Sequence, residues 1–182
     1  PDVAYGDDIE GDLSRRDFTI NSMALELTTN TPEFIDPFNG IDDLAQKLIR
    51  TPASATQSFS DDPLRMMRAA RFASQLDFQI SPEFLASMTD LAHRISIISA
   101  ERVRDEFIKI IMSPNPRIGI TLLVDTGLAD IVLPEIPKLR LEVDEHHHHK
   151  DVYEHSITVL EQAIELEDRL GGPNLVIRIA AL

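Results

Sequence analysis

The 182-residue sequence contains no cysteine and no tryptophan, and lysine supplies only four of its seventeen basic side chains. The lack of cysteine excludes disulfide bonds and thiolate zinc sites, and it fits a reducing compartment. No apolar run approaches the roughly 20 residues that a membrane-spanning helix needs. We therefore predict a cytoplasmic protein without membrane contact, and no feature of the sequence predicts a protein partner.

The chain is acidic, with a formal net charge of −14, although its hydrophobic content of 43% permits a packed core. A protein that coats nucleic acid without regard to sequence needs a broadly basic surface, so the overall charge argues against that class. A local basic groove stays open, because the other thirteen cations are arginine, which suits phosphate groups and base edges.

The pattern predicts a mostly helical chain that begins with part of an α/β domain. Residues 33–35 and 48–50 are short strand candidates on either side of a turn at residues 36–40. From residue 58 onward the pattern is helical, with Pro134 and Pro137 marking a linker. Neither end carries the usual boundary signals, so we expect a piece of a longer protein. Helix starts are predicted at Ser60–Pro63, Ser81–Pro82, Ser99 and Asn115–Pro116, followed by a helix with Tyr153, Ile157, Leu160 and Ile164 on one face.

Residues 61–76 predict a largely buried helix that nevertheless carries three arginines at intervals of three. Buried guanidinium groups need anionic or carbonyl partners. Asp61 and Asp62 can supply them to Arg65 across one helical turn. Arg68 and Arg71 have no acid close by in the sequence, and a phosphate-bearing ligand would satisfy both.

A carboxylate beside a guanidinium can also read a base. The acid accepts a hydrogen bond from an exocyclic amine, and the arginine donates one to a ring nitrogen. Cytosine and adenine present this pair of groups, whereas uracil and guanine present the reverse. One Asp–Arg pair would thus accept C and A. The alternative is a network of internal salt bridges that ties helices together.

A second motif lies at residues 12–24. Asp17 can accept a hydrogen bond from a ribose hydroxyl, and Arg15 or Arg16 can meet a phosphate. Asn21 follows Asp17 by four residues and would share its face of a helix. The alternative is an ordinary helix start in which Asp17 is the N-cap and both arginines are solvated.

Together these segments resemble the nucleotidyltransferase family that includes bacterial CCA-adding enzymes and bacterial poly(A) polymerases. Three runs match in order: residues 15–21, residues 36–44 and residues 61–72. The resemblance implies that Asp62 and Arg65 template the incoming C or A. Asn39 and Asp77 stand where the family usually has glycine, which asparagine can replace in a left-handed backbone. The implied nucleotide-binding residues are Arg15, Arg16, Asp17, Asn21, Asp61, Asp62, Arg65, Arg68 and Arg71.

The resemblance also implies a domain order. Residues 1–57 would be the C-terminal remnant of a nucleotidyltransferase head, residues 58–138 a helical neck that binds base and RNA, and residues 139–182 the first helices of an HD-type domain. His155 matches the first metal-binding histidine of such a domain, so a divalent metal is possible there. The expected partners are the tRNA 3′ end, CTP and ATP, with Mg²⁺ in the head of the parent protein.

The Asp-x-Asp metal ligands of that family are not found in the sequence before Asp12. Phosphoryl transfer with two metal ions requires such carboxylates, so we predict that this chain alone does not add nucleotides. The parent is expected to add C, C and A to tRNA. The alternatives are a poly(A) polymerase of the same family, a non-catalytic RNA-binding module, or an HD-type phosphohydrolase.

Overall fold

A computed structural model describes residues 9–27, 30–141 and 152–182, and these residues are mostly helical, as predicted. Within them, no helix is long and apolar enough to cross a membrane. The α-helices are α1 (Ile9–Ser14), α2 (Gly40–Gln46), α3 (Ala55–Asp61), α4 (Leu64–Leu76), α5 (Pro82–Leu91), α6 (Ala100–Ile111), α7 (Pro116–Asp125), α8 (Leu128–Val132), α9 (Glu135–Lys138), α10 (Val152–Glu165) and α11 (Leu175–Ala181).

Two small sheets account for the strands of the described residues. Strands β1 (Ala24–Glu26) and β2 (Glu33–Ile35) pair antiparallel, with Ala24 opposite Ile35. Strands β3 (Leu48–Ile49) and β4 (Gln79–Ile80) pair in parallel, with Leu48 opposite Gln79. Both strands predicted from the sequence are therefore present. The second sheet joins the N-terminal part of the chain to the residues that follow α4.

Residues 17–21 do not form the helix turn that the sequence predicted for them. They contain only a short 3-10 segment, Thr19–Asn21, before β1 begins. Contacts from distant residues fix the backbone here, since the Thr19 amide donates to the Arg50 carbonyl oxygen at 2.9 Å. The Thr19 hydroxyl also donates to Asp43 at 2.6 Å. These long-range bonds replace the local i,i+4 bonds of a helix.

Helix α4 lies at the centre of the core and contacts α6 and α7. Its side chains Met66, Met67, Ala69, Ala70 and Ala73 have no solvent exposure, which confirms the predicted burial. Gly119 of α7 permits a close crossing, because a methyl group there would lie 2.7 Å from Ile110 and 3.0 Å from the Ala70 carbonyl oxygen. This spacing holds α7 tightly against α4.

The predicted start of α4 at residues 60–63 needs correction, because Ser60 and Asp61 end α3, and Asp62 and Pro63 separate it from α4. Helix α3 ends at Asp61, and Asp62 is extended with φ −142° and ψ 99°. Pro63 disfavours the helical conformation of the residue before it, so α3 and α4 cannot be continuous. The Asp62 side chain then accepts a hydrogen bond from the Leu64 amide at 3.1 Å, which caps the start of α4.

The predicted linker at Pro134 and Pro137 is also helical in part. Pro134 precedes α9 as its N-cap residue, and Pro137 lies within the first turn. Proline is tolerated in a first helical turn because its missing amide has no partner there in any case. The two prolines therefore bound a short helix, and the buried Ile136 anchors that helix to the core.

Among the described residues, three other than glycine have left-handed backbones, and at two of them the resemblance leads us to expect glycine. Asn39 has φ 56° and ψ 40°, so asparagine does replace glycine in the expected conformation. Asp77 has φ 57° and ψ 47° and ends α4. Both residues thus occupy turns whose geometry explains the family's usual choice.

A buried ion pair fixes α11 to the core. Arg178 is 3% exposed, and its Nε and Nη2 each donate to Glu167 at 2.6 Å. Its Nη1 donates to the carbonyl oxygens of Ile111 and Ser113 at 2.7 Å. The hydrogen bonds from Arg178 lower the pKa of Glu167. The C-terminal residues are therefore tied to the end of α6.

We expect Arg178→Ala to lower the free energy of unfolding by about 3–5 kcal/mol, because it leaves the buried Glu167 carboxylate without its cation. Urea unfolding followed by circular dichroism measures this loss. Arg169→Ala is the matched control, since Arg169 is exposed on the neighbouring segment. Equal midpoints for the two variants would contradict a structural role for the buried pair.

Candidate functional site

An open pocket of about 500 Å³ lies between residues 15–21, which we call the N-terminal segment, and the start of α4. It brings together every predicted nucleotide-binding residue except Asp61 and Arg71. The lining residues come from residues 15–21 and residues 62–68, which are about fifty positions apart in the sequence. The fold therefore assembles the pocket from both predicted motifs. The lining residues are Arg15, Arg16, Asp17, Asn21, Asp62, Arg65 and Arg68.

Asp17 and Arg68 form the floor of this pocket. The Arg68 Nε and Nη2 donate to one Asp17 oxygen at 2.9 and 2.5 Å. The other oxygen accepts from the Phe18 amide at 3.0 Å and from the Asn21 side chain at 3.2 Å. A carboxylate has about four acceptor positions, so those of Asp17 are filled. Arg68 therefore has an acid partner that is distant in the sequence, as in the alternative of an internal salt-bridge network.

Arg71 lies behind the pocket rather than in its wall. Its side chain is 14% exposed and forms an ion pair with Glu106 of α6, at 2.9 Å. Glu106 also pairs with Lys109 at 2.9 Å. Burial lowers the pKa of Arg71, and the charge of Glu106 opposes that shift. Arg71 thus pairs with an acid from a distant helix, as in the alternative of an internal salt-bridge network.

Arg65 does not form the predicted contacts with Asp61 and Asp62. Its Nη1 donates to the Ser58 hydroxyl at 2.7 Å, and its Nη2 donates to the main-chain oxygen of Arg15 at 2.5 Å. The expected i,i+3 and i,i+4 spacing fails because Asp62 and Pro63 interrupt the helix. Arg65 instead joins α3 and the N-terminal segment to α4.

The two acids before Arg65 have different surroundings. Asp61 accepts a hydrogen bond from Gln57 at 2.7 Å and lines a neighbouring depression of about 450 Å³. Asp62 faces the pocket, with one oxygen bound to the Leu64 amide. The other oxygen lies 3.6 Å from the Arg102 guanidinium, which is an ion-pair distance rather than a hydrogen bond. Arg102 lies outside both predicted motifs, 40 positions after Asp62.

The charges of the pocket oppose those of the chain. Four guanidinium groups and two carboxylates line it, whereas the chain has a net charge of −14. Arg16 is available to a ligand, because the side chains of Arg16 and Asp12 are both more than half exposed in their ion pair. Exposed ion pairs of this kind are weak, so an anionic ligand can displace Asp12 at little cost. The pocket is therefore suited to a phosphate-bearing ligand.

The predicted metal ligand His155 is exposed on α10. Across residues 9–27, 30–141 and 152–182 there is no group of three or more histidine, aspartate or glutamate side chains that could hold a metal ion. A metal at His155 stays a prediction, because the resemblance places the other ligands beyond residue 182. Asp7 and Asp8, which precede Asp12 but are adjacent and so do not match the Asp-x-Asp pattern, lie outside the described residues.

Comparison with protein families gives two matches. Residues 1–50 match the poly(A) polymerase head domain. Residues 77–139 match a family described as the probable RNA- and SrmB-binding site of polymerase A. The first match includes the Arg15–Asn21 side of the pocket, and the second begins directly after α4.

Similar curated proteins are CCA-adding enzymes. A CCA-adding enzyme of Lactobacillus johnsonii is 42% identical over 138 residues, which are 76% of this chain and 33% of that protein. A multifunctional CCA protein of Mannheimia succiniciproducens is 35% identical over 181 residues, which are 96% of this chain and 42% of that protein. The chain thus spans about a third to two fifths of these relatives' length.

Solved structures agree with the relatives. The CCA-adding enzyme of Bacillus stearothermophilus in complex with CTP matches with a TM-score of 0.70 and 31% identity, over 98% of this chain and 44% of that chain. The Thermotoga maritima CCA-adding enzyme in complex with tRNA matches with a TM-score of 0.71 and 26% identity, over 95% of this chain and 40% of that chain. Sequence and fold together show that the chain belongs to the family of CCA-adding enzymes and poly(A) polymerases.

Proposed function

We propose that this chain is the nucleotide-reading part of a tRNA nucleotidyltransferase that adds C, C and A to tRNA 3′ ends from CTP and ATP. The observation that carries the proposal is the pocket in which Asp62 and Arg65 lie beside Arg15 and Arg16. The names of the relatives and of the solved complexes support the same reaction. Its partners would be CTP, ATP and the tRNA 3′ end.

Asp62 and Arg65 keep the hydrogen-bonding capacity that base reading needs. Within the described residues, the Asp62 oxygen near Arg102 accepts no hydrogen bond and lies 3.6 Å from that guanidinium, so it can accept a hydrogen bond from an exocyclic amine. Arg65 uses two N–H groups in its bonds to Ser58 and Arg15, out of the five that a guanidinium carries. Both side chains can therefore contact the edge shared by cytosine and adenine.

The other side of the pocket would receive the sugar and the phosphates. Arg15 and Arg16 line it, and guanidinium groups bind phosphate through paired N–H donors. A ribose hydroxyl at Asp17 would replace the Asn21 bond, which at 3.2 Å is the longest that Asp17 accepts. Arg68 would then act indirectly by orienting Asp17. Asp61 and Arg71 would support the pocket from outside it.

The domain assignments and the metals are proposals as well. We place residues 1–57 in the head, 58–138 in the neck and 139–182 at the start of an HD-type domain. Mg²⁺ would be held by carboxylates elsewhere in the head, so this chain alone is expected to lack nucleotide-adding activity. A divalent metal at His155 and a cytoplasmic location belong to the same proposal.

A poly(A) polymerase is the second candidate, because both matching families are named for that enzyme.

The two candidates differ in the product that they would make from a tRNA lacking its CCA end. Incubation of the full-length protein that contains this chain with Mg²⁺, CTP, ATP and a tRNA lacking its CCA end should give a product that stops after C, C and A. A growing run of A that needs no CTP would favour the poly(A) polymerase. No product at all would favour an RNA-binding module or an HD-type phosphohydrolase.

We expect Asp62→Ala and Arg65→Ala, in the full-length protein, to relax the choice of C and A over U and G by about tenfold or more. One bidentate base contact contributes about 1–3 kcal/mol of discrimination. Single-nucleotide incorporation with each of the four triphosphates measures the change. Asp90→Ala is the control, because it removes an exposed acid from α5, outside the pocket. Unchanged nucleotide selectivity in both pocket variants would contradict the proposal that Asp62 and Arg65 read the base.

A further inference from the structure

Ser58 of α3 contacts both members of the pair that would read the base. Its hydroxyl accepts a hydrogen bond from the Arg65 Nη1 at 2.7 Å. Its main-chain oxygen accepts another from the Asp62 amide at 3.1 Å. Ser58 belongs to neither predicted motif, since it lies four positions before Asp62 and well after residues 12–24. One residue outside the motifs therefore touches the acid and the arginine at the same time.

The packing of α3 fixes the position of the Ser58 hydroxyl. Ser58 is 2% exposed, and the adjacent Phe59 packs edge-on against Phe84 of α5, with 5.0 Å between the ring centroids. The Ser54 side chain caps the start of α3 by accepting from the Gln57 amide at 3.2 Å. A buried side chain in a close-packed interior has little room to move. The hydroxyl is therefore a fixed acceptor for the long side chain of Arg65.

The chemistry of this acceptor suits an arginine that must also bind a ligand. A hydroxyl is neutral and engages one N–H group of Arg65, whereas a carboxylate could bind two in parallel and would neutralise the charge. The other contact of the guanidinium, with the main-chain oxygen of Arg15 at 2.5 Å, is neutral as well. Two neutral acceptors from different parts of the chain thus set the orientation of the guanidinium. They leave its charge and three of its five N–H groups for a base edge.

We propose that Ser58 is a positioning residue for nucleotide selection, whose hydroxyl orients Arg65 toward the edge that cytosine and adenine share. The inference rests on the proposed function, because Ser58 acts through Arg65. It adds a specificity determinant from α3 to a pocket that is lined by the N-terminal segment and the start of α4. Replacing Ser58 by alanine removes the hydroxyl but keeps the main-chain oxygen that the Asp62 amide contacts, so the change acts on the arginine.

The test measures single additions of CTP and UTP to a tRNA lacking CCA, with the full-length protein and its Ser58→Ala and Ser58→Thr variants. For Ser58→Ala we expect the ratio of kcat/KM for CTP to that for UTP to fall about fivefold, which is the effect of losing one hydrogen bond of ordinary strength. Ser58→Thr keeps a hydroxyl and should recover most of the ratio. Ser60→Ala is the matched control, because it removes a hydroxyl from the same helix that lines neither the pocket nor the neighbouring depression.

A double variant separates the orientation of Arg65 from a general effect on the fold. In an Arg65→Ala background, Ser58→Ala should cause no further loss of the CTP-to-UTP ratio, because the group that it orients is gone. A further, additive loss would overturn the inference, and so would an unchanged ratio in Ser58→Ala while Arg65→Ala loses selectivity. If the wild-type protein adds no nucleotide, the proposed function itself fails and the inference falls with it.

Discussion

The ion pair between Asp17 and Arg68 is the interaction on which the pocket depends. It joins residues 51 positions apart, and both of its hydrogen bonds reach a single carboxylate oxygen. Directly behind it, the fully buried Phe18 ring packs edge-on against Phe72 of α4 at 5.3 Å. Polar and apolar contacts therefore fix the same short segment to the same helix, and the pocket is the space that remains in front of them.

Helix α4 carries both apolar side chains and arginines, and acids from two other parts of the chain pair with two of these arginines. Burial of its apolar side chains also brings its arginines into the interior, where an arginine without an anionic partner would cost folding free energy. Asp17 approaches from the N-terminal segment and Glu106 from α6, so Arg68 and Arg71 are each paired. Arg65, in the first turn of the helix, bonds to neutral groups instead. Among the described residues of α4, the arginine without an acid partner is thus the one in the first turn, where it lines the pocket.

Local patterns were enough to predict the helices with strong boundary signals, whereas the family resemblance implied the residues that meet in the pocket. Ser81 and Ser99 precede α5 and α6 as expected, and α4 is buried because its apolar residues surround it. The partners of the arginines were not predictable, because Asp17 and Glu106 are distant in sequence. Helix α3 is not predicted, because residues 55–61 form a short and mostly polar segment. The cap residue, acids and proline of residues 60–63 predict one helix start, whereas the structure has the break between two helices there.

The bond from Arg65 to the main-chain oxygen of Arg15 has a consequence for variation within the family. A carbonyl oxygen is present whatever the side chain, so replacing residue 15 does not delete the acceptor. At position 15 the main-chain oxygen holds the N-terminal segment against α4, whereas the side chain lines the pocket. Related proteins can change the chemistry of this wall of the pocket while the junction of the N-terminal segment with α4 keeps its geometry.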